Sequence, residues 1–215
     1  MIDVLFISPG NATGVYQDLA KDYAAIEPPT WSLLLAESCR SKGYKVGIID
    51  VNVEQLSAKQ VLDRVNKINP KLICFVVYGQ NVNAGTVNMS GAVRLSKAIK
   101  NFGVETPICF AGSHMSALPY ETLEKEPSID IILTNDGVYA LRNLLSLERL
   151  EAESFEKIRG IGFRQDGKPF LTPPERPVPQ DRMDIDLPGY AWDLLPYREK
   201  PLDLYRSPMW HANYI

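Results

Sequence analysis

From residue 1 to about residue 149 the chain alternates short apolar runs with longer stretches whose apolar positions recur every three or four residues. The first run, Val4-Leu5-Phe6-Ile7, ends at Ser8-Pro9-Gly10. After Pro28-Pro29 a helical pattern places Trp31, Leu34, Leu35, Ser38 and Cys39 on one face, and Gly43 stands where such a helix would end. Residues 45–50 (KVGIID) read as a second strand. Ser57-Ala58-Lys59-Gln60 has capping-box spacing, in which the serine and glutamine side chains each satisfy the other's backbone N–H. It opens a helix carrying Val61, Val65 and Ile68, stopped by Asn69-Pro70. Residues 72–77 are nearly all apolar, as expected of a central strand covered on both faces. Ala92, Leu95, Ile99 and Phe102 mark the next helix, residues 107–110 a fourth strand, residues 129–133 a fifth. Val138, Leu141, Leu144 and Leu145 mark a last helix.

Strand and helix alternating about five times predict an α/β fold with an open parallel sheet and helices on both faces. Right-handed crossovers leave few topologies, and the expected one is the flavodoxin-like, Rossmann-type five-stranded order 2-1-3-4-5. Residues 1–150 are read as this domain and residues 151–215 as an appendage. The appendage begins with a β-hairpin, Ile161-Gly162-Phe163-Arg164 to Pro169-Phe170-Leu171, with Asp166-Gly167 at its turn. An irregular proline-rich tail follows, with Tyr190, Trp192, Tyr197, Tyr205, Trp210 and Tyr214 interleaved. It lacks the periodicity to form a core alone, so it either wraps the preceding domain or leads to another.

Composition narrows the function classes. Among 215 residues 45% are apolar, and the net charge is -3 with no basic stripe, so there is no nucleic-acid footprint. The longest apolar run is far shorter than the roughly 20 residues that cross a bilayer, so no membrane partner is expected. The start, MIDVLFISPG, lacks a basic region ahead of its apolar stretch and reads as a strand rather than a signal peptide. Three cysteines, Cys39, Cys74 and Cys109, form no CxxC pair; they read as buried reduced thiols in a cytoplasmic protein.

In an open α/β sheet, ligands lie beyond the carboxyl ends of the strands, where strand order switches. The residues at that edge are Ser8-Pro9-Gly10-Asn11 after the first strand and Tyr78-Gly79-Gln80-Asn81-Val82-Asn83 after the third. Ala111-Gly112-Ser113-His114 follow the fourth strand, and Asn135-Asp136-Gly137 the fifth. Glycine lets backbone approach a ligand, and amides and hydroxyls bond a neutral polar partner. Turn and cap chemistry alone would also favour these residue types. No GxGxxG follows the first strand and no GxxxxGK[ST] occurs, which argues against a standard dinucleotide or nucleoside-triphosphate site. There is no GxSxG elbow, and the two histidines, His114 and His211, lack local metal-ligand spacing. No residue is therefore assigned a catalytic or metal-ligating role.

The ordered set of motifs resembles the N-terminal cobalamin-binding domain of the cobalamin-dependent (class B) radical S-adenosylmethionine enzymes. The matching stretches are Pro28-Pro29 leading into Trp31-Ser32-Leu33-Leu34-Leu35-Ala36, Gly43-Tyr44-Lys45-Val46 with Asp50, and Ala111-Gly112-Ser113-His114 with Pro119. Ile129-Asp130-Ile131-Ile132-Leu133, the hairpin, and the stretch from Asp184 to Pro196 complete the set. Ala111-Gly112 departs from the family's Gly-Gly, and Asn135-Asp136-Gly137-Val138 from its acidic turn. No CxxxCxxC occurs, so the resemblance implies that the S-adenosylmethionine and 4Fe–4S sites lie in a radical barrel outside this chain. It further implies a methyltransferase acting on an unactivated carbon.

Classical cobalamin domains carry a DxHxxG motif after the first strand, whose histidine ligates cobalt; here that loop reads Ser8-Pro9-Gly10-Asn11-Ala12-Thr13-Gly14. The resemblance therefore implies base-off cobalamin with no histidine lower ligand. Its nucleotide tail would pass beside Gly10 and Gly112, with residues 78–83 under the corrin and His114 as a wall residue. A His114 that merely caps the helix near Pro119 is the plainer alternative. Two rival functions remain open at this level: a non-catalytic flavodoxin-like interaction module, and a flavin- or nucleotide-binding flavodoxin-like protein.

Overall fold

The computed structural model describes residues 2–10, 26–78, 82–196, 205–207 and 212–213. Five strands, β1 (Val4–Ser8), β2 (Val46–Asp50), β3 (Leu72–Val76), β4 (Ile108–Ala111) and β5 (Ile131–Leu133), lie parallel in the order 2-1-3-4-5. The hairpin strands β6 (Ile161–Gln165) and β7 (Lys168–Leu171) do not stand apart. They continue the same sheet antiparallel beyond β5, giving seven strands in the order 2-1-3-4-5-6-7. Asp166 and Gly167, at φ of 51° and 76°, make the two-residue left-handed turn that matches hairpin twist.

Alternation along each buried strand divides the core. Val4, Phe6, Cys74, Val76, Cys109 and Ala111 face α1 (Thr30–Arg40) and a helix after β5, whereas Leu5, Ile7, Ile73, Phe75, Ile108 and Phe110 face the opposite layer. That opposite layer comprises α3 (Ala58–Ile68), α4 (Val82–Asn101) and the pair α5 (Ser113–Ala117) and α6 (Pro119–Lys125). A one-turn helix α2 (Val51–Glu54) follows β2 directly, and α7 (Val138–Leu145) follows β5. A second one-turn helix, α8 (Ala152–Phe155), leads into β6.

The capping box at Ser57 and Gln60 is present, and Asn69 ends α3 in the left-handed conformation. Two periodicity readings are corrected. Leu33 and Ala36, rather than Trp31 and Leu34, complete the fully buried stripe of α1. Phe102 lies past the end of α4 and is 65% exposed, because Gly103 turns the chain away before its ring can reach the sheet. All three cysteines are free and buried in the α1-side core, where burial pushes the Cys39 thiol up to about 12.

Part of the proline-rich stretch packs on the domain. A short helix α9 (Met183–Asp186) lies near α1 and α7, and the buried Ala191 donates its N–H to the carbonyl of Leu33. A two-residue ladder joins β8 (Arg206–Ser207) to β9 (Ala212–Asn213). No helix of the described residues is long and apolar enough to cross a membrane.

Candidate functional site at the carboxyl edge of the sheet

The chain leaves β1 for α1 on one face and β3 for α4 on the other, so the crossovers part between these neighbouring strands. That parting is the crevice where open α/β sheets bind ligands. Ser8, Tyr78, and Ser113 with His114 extend from three adjacent strands, β1, β3 and β4. All four are half-buried. Among the described residues the hydroxyls of Ser8 and Ser113 and the imidazole of His114 make no hydrogen bond. His114 is the second residue of α5; its carbonyl accepts the Leu118 N–H, while its side chain caps nothing, so the helix-cap alternative has no support.

The residues after β5 are differently engaged. The Asn135 side chain accepts the Gly137 N–H and donates to the carbonyl of Glu175. The Asp136 carboxylate accepts the N–H groups of Val138 at 3.1 Å and Val178 at 3.3 Å. Both therefore start α7 and hold the chain that returns from the hairpin. Gly137 takes φ 83°, the left-handed conformation its turn requires.

Two aromatic residues close the α1 side of the edge. Trp31 lies against Tyr78 with ring centroids 5.4 Å apart and donates its indole N–H to the Asp136 carbonyl at 3.0 Å. Burial, then the charge of Asp136, pushes the Tyr78 phenol up to about 12, so it remains a neutral donor at physiological pH. Periodicity assigns Trp31 to the core face of its helix; its position one residue inside the helix after Pro28-Pro29 is the signal that could place it at the edge.

The glycines have close neighbours. A Cβ on Gly10 would lie 2.7 Å from Cβ of Asn52 on α2, and one on Gly112 would lie 2.3 Å from the Val77 carbonyl oxygen. The chain's own atoms occupy both positions. Glycine there permits strand β1 to meet α2, and β4 to meet the exit of β3, which accounts for both glycines without a ligand. A bulky residue at Gly112 would collide with Val77 whatever the site binds, so it cannot report on a ligand. Pro9 is buried, Ala111 wholly so, while Asn11, Gly79, Gln80 and Asn81 lie outside the described residues, as does the side chain of Asn83.

Asp50, the register partner of Ser8, ends β2 at this same edge. Its carboxylate is 3% exposed, accepts the N–H groups of Asn52 and Val53, and accepts the phenol of Tyr205 at 3.0 Å. Burial raises it to about 6, against the lowering effect of those three donors. No cluster of three His, Cys, Asp or Glu residues among those described could hold a metal. The uncommitted groups of Ser8, Ser113 and His114 are hydrogen-bond donors and acceptors, a set that can bond an amide-rich ligand.

A profile of the B12 binding domain family matches residues 16–145, more than half of the chain and a span that includes the edge from β2 to β5. The chain belongs to the B12-binding domain family. It is 27% identical over 180 residues to an uncharacterized methyltransferase of Pyrococcus horikoshii, covering 84% of this chain and 36% of that protein. It is 21% identical over 187 residues to the anaerobic magnesium-protoporphyrin IX monomethyl ester cyclase of Cereibacter sphaeroides, covering 85% of this chain and 28% of the cyclase. The chain thus spans about a third of the length of these curated relatives.

Among solved structures, the cobalamin-dependent S-adenosylmethionine radical enzyme OxsB, with aqua-cobalamin and S-adenosylmethionine bound, superposes with a TM-score of 0.67 at 17% identity, covering 90% of this chain and 24% of OxsB. The radical S-adenosylmethionine methyltransferase TsrM from Kitasatospora setae superposes with a TM-score of 0.59 at 15% identity, covering 80% of this chain and 30% of TsrM. The cobalamin-binding fold of this chain is similar to that found in these cobalamin-dependent radical enzymes.

Proposed function

We propose that this chain holds cobalamin at the carboxyl edge of β1, β3 and β4, as the cofactor domain of a cytoplasmic radical S-adenosylmethionine methyltransferase acting on an unactivated carbon. The family match across residues 16–145 carries the reading. Ser8, Ser113, His114 and the Tyr78 phenol are the groups that would bond the corrin amides and the nucleotide tail. Bound cobalamin supplies a cobalt centre able to carry a methyl group. The chain's own residues would bind and orient it, and would supply no histidine to the cobalt, a choice that bears on the metal's electronics.

The absence of histidine between Ser8 and Pro29 supports a lower face without a histidine ligand, and the base-off state is part of the same proposal. On this reading residues 1–150 carry the site, and residues 151–215 lead toward a separate radical barrel that would hold S-adenosylmethionine and the 4Fe–4S cluster. The lengths of the curated relatives support that division of labour.

Mixing the protein with hydroxocobalamin, desalting and recording the visible spectrum tests the reading. Corrin absorbance near one equivalent is expected, and a colourless protein would overturn it. After reduction to cob(II)alamin, electron paramagnetic resonance should lack nitrogen splitting; a nitrogen triplet would overturn the unligated lower face alone. A second reading, a flavodoxin-like interaction module without cofactor, draws on Asn135 and Asp136, whose side chains serve the chain's own turns. A protein that stays colourless would favour it.

A further inference from the structure

Asp50 and Tyr205 meet across 155 positions of sequence, in a part of the edge that the cobalamin reading leaves unassigned. The hydrogen-bonding needs of α2 do not require the contact. Oδ1 of Asp50 accepts both cap N–H groups, of Asn52 and Val53, which leaves Oδ2 for the phenol. Tyr205 is 1% exposed. Its ring packs with Leu33 of α1, Val53 of α2 and Leu195, with Ile26, Ile48 and Trp192 against the same cluster. One aromatic residue of the tail is thus buried among α1, β2 and α2, and its polar tip is satisfied by a buried carboxylate.

The location matters because α2 also sets the β1 exit. Asn52 of α2 lies against Gly10, and Asp50 is in register with Ser8. Immediately after Tyr205 the chain enters β8, paired with β9. An anchor at Tyr205 therefore holds a two-stranded ribbon beside the β1–β2 corner of the edge.

We propose that the Asp50–Tyr205 pair is a clasp that fastens the tail ribbon to the cofactor edge, with Tyr205 a positioning residue on which corrinoid retention depends. This rests on the cobalamin reading for its ligand but not for the fastening itself. Tyr205 acts through Asp50 and α2 on Gly10, where the chain leaves β1, rather than as a ligand of the cofactor.

The test uses the full chain as wild type, Tyr205→Phe and Tyr205→Ala, with two readouts. Amide hydrogen exchange without cofactor reports the fastening. Loss of the phenol's bond to a carboxylate should speed exchange at residues 50–54 and 205–207 by roughly tenfold in Tyr205→Phe, and by more in Tyr205→Ala, with β3 and β4 unchanged. Hydroxocobalamin titration reports retention, and a dissociation constant raised about tenfold or more in Tyr205→Ala is expected. Unchanged exchange at residues 205–207 in both variants would overturn the clasp. Faster exchange with undiminished corrinoid affinity would overturn its role in retention. Should Tyr205→Ala also loosen β3 and β4, the milder Tyr205→Phe decides. A wild type that retains no corrinoid defeats the cobalamin reading, while the exchange data still judge the fastening.

Discussion

Two buried aspartates titrate in opposite directions, and each shift follows from its neighbours. Asp50 is surrounded by apolar groups and neutral donors, with Glu54 nearby adding repulsion, so burial prevails and the group ionises at about 6. Its unfolded counterpart ionises near 3.9. The folded chain therefore binds this proton more tightly. The group favours folding most below about pH 4, and that contribution is lost as pH rises through 6. The difference is of order 3 kcal/mol at neutral pH. Asn caps a helix as well as Asp and does not ionise. Asp50→Asn should thus raise stability at pH 8 by about 1–3 kcal/mol in urea denaturation, with the gain vanishing toward pH 4. A gain independent of pH would refute the assignment.

Asp186 shows how one element is attached to the rest. It is 2% exposed; burial pushes its carboxyl up, but hydrogen bonds from Arg142, Tyr139 and Arg182 outweigh this and hold it well below the usual carboxylate range. Arg142, on α7, also donates to the carbonyls of Ser38 on α1 and Asp186 itself, so a single guanidinium joins two core helices to α9. This folded-state depression makes Asp186 stabilising at neutral pH, with the effect lost as acidification passes below about 4. Asp186→Asn leaves a buried cation without its counter-charge and should destabilise by about 3–5 kcal/mol. Thermal unfolding at pH 7 measures this, and a loss of only a few tenths would show the pair to be dispensable. At this scale the regular elements were legible from periodicity and caps: the Ser57 box, the left-handed Asn69 and the Asp166-Gly167 turn are all local. The helices α2, α5 and α6 were not, because helices of four to seven residues are too short to show a 3.6-residue period.

For the whole molecule, the hairpin changes what a domain boundary means. Pattern alone separates residues 151–215 from the parallel sheet, yet β6 pairs with β5, and Phe163 packs edge-on against Phe155 and Phe170. A chain ending at residue 150 would leave β5, whose three residues are fully buried, as a bare apolar edge. It should aggregate or unfold without cooperativity, whereas a chain ending at residue 196 should show a single sharp denaturation step. Comparable cooperative curves for the two would contradict the continuity of the sheet. The candidate site follows the same logic. The loops could be named from sequence because strands and helices alternate, but Asn135 and Asp136 differ from Ser113 and His114 only in what they touch.

By itself the sequence determined strand order, the faces of most helices, the turn types and which loops gather at the carboxyl edge of the sheet. These depend on period, handedness and local backbone preference, which act over a few residues. Tertiary structure alone decided that the hairpin extends the sheet, that Trp31 closes one side of the edge, that Gly10 and Gly112 serve close backbone packing, and that Tyr205 reaches Asp50. Each of these joins groups far apart in the chain, and their meeting depends on how the packed layers bring them together.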